Sequence, residues 1–218
     1  GTLTVGTNKA VGVFTSGANQ TITSTNSMTI GDTSYGFVIK GAGHNLTTNN
    51  GTVTLGNDSV FAYSDKPGTM TNRTQLVSTG SGNYGLYSAG NIKNLADINF
   101  ASGIGNVGIY SAYGAGTGNG VARNYANIKV GKTDLENELY SIGMAAGYTD
   151  SKDASKNRIG HIINTGTINV DHDNSIGMYA SGAGSIAENH GTINITAKKA
   201  IGMYLENGAT GINAATGN

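Results

Sequence analysis

Charged side chains are scarce in this sequence, and two stretches concentrate them. Asp134, Glu136 and Glu138 fall within 131–141, and Asp150, Lys152, Asp153, Lys156 and Arg158 fall within 148–160. Carboxylates and cations gathered on loops are the groups that hydrogen-bond and ion-pair with a ligand, and loops held by a rigid scaffold are where binding is usually housed. The same composition also describes solvated excursions with no partner, and both readings stand at this point. A second set is aromatic: Tyr63, Tyr87, Tyr110, Tyr179 and Tyr204 recur in one local context. On an exterior stripe such rings would accept sugar rings or the apolar edge of another protein. At a buried corner they would only stack on one another. A third set, Asp171-His172-Asp173-Asn174, places carboxylates two apart as calcium loops do. It lacks the glycine and the distant glutamate that an EF-hand requires, and it reads as a solvated turn.

Other chemistries find less support. The chain has no Cys, which excludes disulfides, thiolate nucleophiles and thiolate metal sites. The four histidines (His44, His161, His172 and His190) are scattered, and no G-x-S-x-G, H-E-x-x-H or P-loop pattern occurs. His161 and His190 do share a similar turn context. Acids and arginines that would cleave a polysaccharide do not recur at one register in successive repeats. With 13 basic and 13 acidic side chains and no basic run, nucleic acid is not an expected partner. The expectation is a non-catalytic binding protein with no cofactor and no metal.

The elements that position these residues are repeats. The chain has 218 residues, 35 Gly and a single Pro, with Thr, Asn, Ser and β-branched residues in short alternating runs, which suits strands. Three lines recur. The first has the form Gly-Thr-Ile-Asn-Val, at 1–5, 27–30, 51–55, 97–100, 126–130, 166–170 and 191–195, with a degenerate copy near 76–77. The second has the form Ile-Gly-Met-Tyr, at 11–14, 35–38, 60–63, 84–87, 107–110, 142–145, 176–179 and 201–204. The third is an apolar residue near an Asn: Ile22, Leu46, Met70, Ile92, Val121, Ile162, Ile186 and Ile212.

The glycines of the second line, with Phe61 replacing one, step by 23 to 25 residues except for two steps of 35 and 34. That period predicts an all-β, right-handed parallel β-helix of about eight coils of 23–25 residues, with three strands per coil. Leucine-rich repeats and propeller blades fit worse, because Leu is scarce and the period is too short for a blade. Insertions are expected at about 64–74, 131–141 and 148–160. Strict alternation would put Ile176 and Met178 inside, with Gly177 and Tyr179 on the other face. Turn asparagines such as Asn50, Asn164 and Asn189 are expected to stack in a ladder. A single coil buries too few side chains to stand alone, so stability must be shared between neighbours. Residues 1–218 read as one β-helix segment starting in mid-repeat, cut from a longer chain, with open sheet edges prone to end-to-end association. No apolar run reaches the roughly 18 residues that a membrane helix needs, and no signal peptide is visible.

Asn-Thr-Gly-Thr-Ile-Asn-Val at 164–170, followed by Ser-Ile-Gly-Met-Tyr-Ala at 175–180, resembles the passenger repeats of very large autotransporters, above all fusobacterial-type outer-membrane adhesins. Residues 189–195 and 200–204 repeat the likeness, which is loose over 64–82 and 131–160. The resemblance implies a type V secreted protein displayed at the cell surface and anchored by an outer-membrane β-barrel outside this stretch. It implies attachment to a protein or glycan of a host or bacterial cell. A pure stalk and a polysaccharide-binding or polysaccharide-cleaving β-helix remain as alternatives. No binding residue is carried over, since the shared positions are structural.

Overall fold

The structure is a computed structural model; it describes residues 1–114 and 118–214, apart from the side chain of Asn50. The chain is a parallel β-helix. The second line forms one sheet of eight strands, from Val11–Thr15 through Ile142–Ala146 to Ile201–Glu206. Each strand pairs in parallel with its counterpart one coil on, as in Tyr110↔Tyr87 and Tyr179↔Tyr204. The first and third lines merge into a 14-stranded sheet. They merge because His44–Leu55 and Gly68–Ser78 turn the corner without leaving the ladder. All pairings between the named strands are parallel, and the only regular helix among the described residues is the 3-10 turn Ala154–Lys156.

Inside, one apolar cluster runs the length of the stack. Columns such as Met28, Val53, Leu76, Ile98, Ile128 and Ile168 contribute one residue per coil. At the corner between the third and first lines runs a chain of buried amides. Thr48 Oγ1 donates to Asn72 Oδ1, and Asn72, Asn94, Asn124, Asn164 and Asn189 each donate from Nδ2 to the Oδ1 of the next, ending at Asn213, all at 2.8–2.9 Å. Each of these five donating amides also donates to the carbonyl two residues on, as Asn124 does to Ala126. Asn164 and Asn189 thus belong to the expected ladder. In the coil of Asn50 the ladder uses Thr48 instead, and the Asn50 side chain lies outside the described residues.

This ladder corrects the third line. The inward residue always stands two before the ladder residue, so Ala122, Ala187 and Gly211 occupy the places assigned to Val121, Ile186 and Ile212. Ala122 and Ala187 are fully buried, whereas Ile212 is 41 % exposed. A buried amide costs much free energy unless its hydrogen bonds are complete, so its placement overrides the pull of a larger neighbouring side chain.

The second line needs a parity correction. A Cβ on Gly177 would meet Ile193 and Val170, so that position faces the core, and Met178 is buried in the core cluster. Ile176 and Tyr179 both stand on the outer face, where Ile176 is nonetheless covered to 7 % exposure. Two successive inward positions break the alternation, which is why the glycine drops out of the pairing between neighbouring strands. The expected protrusion at 64–74 is also corrected. The chain turns over Asp65–Pro67, after which Gly68–Arg73 pairs in register with His44–Asn49.

Candidate functional site

The excursions at 131–141 and 148–160 leave from opposite ends of one strand, Ile142–Ala146. The first closes through an antiparallel bridge, Asp134↔Leu139, and the second through Tyr148↔Arg158. A third excursion follows Ser111, where Tyr113 bridges in antiparallel fashion to Ile159 and so ties itself to the second hairpin. It escapes the sequence reading because the long step between Gly108 and Gly143 contains two excursions and records only their combined length.

Between the first two hairpins the outer face of the eight-stranded sheet becomes a groove of about 730 Å³. Its floor is aliphatic: Ile142, Ile176 and Ile201, one residue per coil. Leu135 and Tyr140 come from the first hairpin and Tyr148 from the second. Tyr84, Tyr179 and Tyr204 supply the remaining aromatic surface, and Asn174, Lys199 and Glu206 bring polar groups to the lining. Leu135, Tyr140, Tyr148 and Tyr204 are each 40–53 % exposed. Local sequence explains these placements. The outward column of the second line is Ile or Val in most coils, and each hairpin carries an aromatic residue next to its root.

The five candidate tyrosines divide into two groups. Tyr63, Tyr87 and Tyr110 pack on one another with centroids 5.0 and 4.8 Å apart. Tyr179 and Tyr204 form a stacked pair at 5.9 Å and 14°. Ala145 occupies the column between them and is buried at 3 % exposure. The stripe is therefore exterior and also self-stacked. Only Tyr179 and Tyr204 reach the groove. Tyr179 donates its hydroxyl to Glu206 at 2.6 Å, and Tyr110 donates to the carbonyl of Gly147 at 2.9 Å, which fastens the root of the second hairpin. Burial raises the Tyr179 and Tyr87 phenols to about 12, and raises Tyr110 as well.

The charged candidates serve mainly to shape the hairpins. Asp134 accepts from the Glu136 and Asn137 amides and from Asn137 Nδ2, which holds its carboxyl below the ordinary range. Asp150 accepts from the amides of Lys152 and Asp153 and is likewise lowered. Asp153 accepts from Ser155 and pairs with Lys156 at 3.6 Å. Arg158 donates to the carbonyls of Ser155 and Asn157 within its own loop. Glu136, Glu138 and Lys152 are exposed, and none of them takes part in a salt bridge with another described residue. Of the groove residues, the sequence reading singled out only Tyr179 and Tyr204 for binding; it missed the floor Ile142, Ile176 and Ile201, the hairpin residues Leu135, Tyr140 and Tyr148, and Tyr84, Lys199 and Glu206, and it left Asn174 in a solvated turn. The available signal was one aromatic residue on either side of Ile142–Ala146.

Elsewhere, Asp171 and Asp173 accept hydrogen bonds from Thr196 and the Lys198 amide. Among the described residues no three His, Asp or Glu side chains are placed to hold a metal ion. His161 and His190 both contact the Glu188 carboxylate, at 2.6 and 2.8 Å, on the outer face of the third line.

Fold and site together define the class: a parallel β-helix domain that carries an aromatic, hairpin-walled groove on one outer face. Over residues 1–217 the chain matches the BigA third pectate lyase-like domain, and it belongs to that family. No curated protein and no solved structure matches it significantly.

Proposed function

We propose that this domain is a non-catalytic adhesive segment of a bacterial surface protein, and that the hairpin-walled groove is its adhesive site. The observation that carries the reading is the exit of two hairpins from the two ends of a single strand. Both hairpins turn apolar or aromatic side chains onto the same patch of sheet, Leu135 and Tyr140 from the first and Tyr148 from the second. Membership of the BigA family supports a bacterial surface protein with a β-helix. Secretion as an autotransporter passenger, anchoring by an outer-membrane β-barrel and attachment to a host or bacterial cell complete the proposal, and they rest on the passenger-like repeats.

Chemistry within the groove favours binding over turnover. Glu206, the one carboxylate among the described lining residues, is engaged by Tyr179 and Asn207. Hydrolysis of a glycosidic bond ordinarily uses two positioned carboxyl groups. The pectate lyase-like kinship favours polysaccharide binding as a second reading, with the tyrosines as stacking surfaces.

The test is to replace 134–139 and 149–157 by short glycine linkers in the full-length surface protein and to measure attachment of the cells that display it. Lost attachment, with the β-sheet circular dichroism of the domain unchanged, is expected. Undiminished attachment would leave the domain as a spacer.

A further inference from the structure

Resting on the adhesive reading of the groove, we infer that its occupant is an extended protein segment that inserts large apolar side chains and flanks them with lysine or arginine. The column Ile142, Ile176 and Ile201 repeats at the strand spacing of about 4.8 Å and forms an aliphatic floor, most open at Ile201, which is 37 % exposed, and most covered at Ile176, at 7 %. Sugar hydroxyls pressed against such a floor would lose water without gaining hydrogen bonds, which is unfavourable. Apolar side chains lose nothing there.

The stacked Tyr179–Tyr204 pair points to the same occupant. These rings lie nearly parallel to each other, so each covers a face of the other and less flat surface remains for a sugar. An aliphatic floor with tyrosine walls and a few polar groups is the anatomy of a protein-binding surface. Such surfaces are depleted of charge at the centre and enriched in Tyr.

Charge supplies the flanking preference. Glu136 and Glu138 stand exposed on the hairpin that contributes Leu135 and Tyr140, and neither takes part in a salt bridge with a described residue. Asp134 is turned back into its own loop. Lys132, at the root of the same hairpin, lies beside Asp171 and Asp173 and is not part of the groove lining. The tip of the first hairpin therefore carries two acids that a cationic neighbour would satisfy, while Lys199 lines the groove itself and Lys152 stands exposed on the second hairpin, so the cation preference belongs to that tip alone.

A phage-displayed dodecapeptide library selected on the intact domain tests this. Selected peptides should carry two or more large apolar residues with an adjacent Lys or Arg. Their affinity should fall about tenfold or more for Tyr204→Ala and Ile176→Ser, as expected for anchoring positions. It should fall by a smaller, salt-dependent factor for the double variant Glu136→Lys, Glu138→Lys, which alters only exposed side chains and serves as the control against misfolding. Peptides that bind both kinds of variant as well as the parent domain would overturn the inference. So would a glycan array hit that competes with them for the groove. No enriched peptide, alongside hairpin-dependent cell attachment, would end the inference and leave the adhesive reading intact. Attachment that ignores the hairpins would end both.

Discussion

Asn124 donates from Nδ2 to Oδ1 of Asn164 at 2.9 Å although 40 residues separate them, with both charged excursions looped out in between. The amide ladder thus holds its register through the most irregular part of the chain. Asn124→Ala would leave the Asn94 amide without its acceptor partner and Asn164 Oδ1 without its donor, both buried. A loss of about 1–3 kcal/mol is expected for such orphaned groups. Asn194→Ala, which breaks an exposed amide pair with Asn169, should stay within about 0.5 kcal/mol. Urea midpoints of the two variants compare them directly, and equal midpoints would deny the ladder its role.

Phe61 occupies the position held by glycine in the other seven copies of the second line. It is buried and packs edge-on against Phe37 at 5.5 Å and 86°. Restoring the common repeat by Phe61→Gly should therefore destabilise, by about 3–5 kcal/mol as for other large aromatic truncations in a core. The opposite change is also costly. A Cβ on Gly143 would sit 2.6 Å from the Gly177 carbonyl and 2.9 Å from Ile168, so Gly143→Ala should cost about 1–3 kcal/mol by overpacking. Thermal unfolding of both variants settles the pair, and a stabilised Phe61→Gly would show that the coils are interchangeable.

These two positions show what a sequence can reveal of this fold. The coil number, the three lines and the parallel stacking are legible, because each coil must repeat its apolar positions to keep the columns continuous. Inward and outward assignment fails where something other than hydrophobicity sets parity. Asn124 and Asn189 turn Ala122 and Ala187 inward, and the close approach at Gly177 turns Ile176 outward. The site was half legible. Charge marked the hairpins at 131–141 and 148–160, but the carboxylates that stood out, Asp134 and Asp150, are spent on the loops' own amides. The groove instead consists of aliphatic and aromatic residues that looked like core.

Acid should weaken the fold through His44. The residue is 2 % exposed, its Nε2 has no hydrogen-bond partner among the described residues, and burial holds its pKa below the ordinary 6.5. Over the range between the two values the unfolded chain binds the extra proton, so stability decreases as pH falls below about 6.5. His44→Gln should flatten this slope in a series of urea titrations between neutrality and mild acid. An unchanged slope would place the acid sensitivity elsewhere.

Alkaline titration separates the two environments of the tyrosine stripe from solvent. Tyr87 and Tyr179 are pushed up to about 12, chiefly by burial, with Glu206 adding to the shift at Tyr179. Both should remain protonated near pH 11 while the domain is folded. Their folded pKa values lie above the unfolded value, so the stability they contribute is present below about pH 10 and is lost as pH rises through the folded values. Phenolate absorbance should then rise late and together with loss of β-sheet signal. Tyr179→Phe should remove part of the late rise, and complete ionisation before unfolding would refute the burial.

Asp134 and Asp150 define how the hairpins should fail. Each carboxylate sits at the start of a turn and collects the amides two and three residues on: Glu136 and Asn137 for Asp134, Lys152 and Asp153 for Asp150. The loops therefore have a local cause for their shape, independent of the coils that carry them. Asp134→Ala should accelerate hydrogen exchange at Glu136 and Asn137 and leave Ile142–Ala146 protected, because that strand is held by parallel partners on both sides. Hydrogen bonds lower both carboxyls, from the Asn137 side chain above all for Asp134 and from the Lys152 and Asp153 amides for Asp150, so the stability they lend the turns is present above the ordinary aspartate range and is lost progressively as pH falls through that range toward the folded values. Groove binding should track the exchange: Asp134→Asn, which keeps one acceptor oxygen, should retain more of it than Asp134→Ala. If exchange at Glu136 and Asn137 is as slow in Asp134→Ala as in the parent, the groove wall is imposed by the scaffold rather than by the aspartate, and the loop can be redesigned without regard to it.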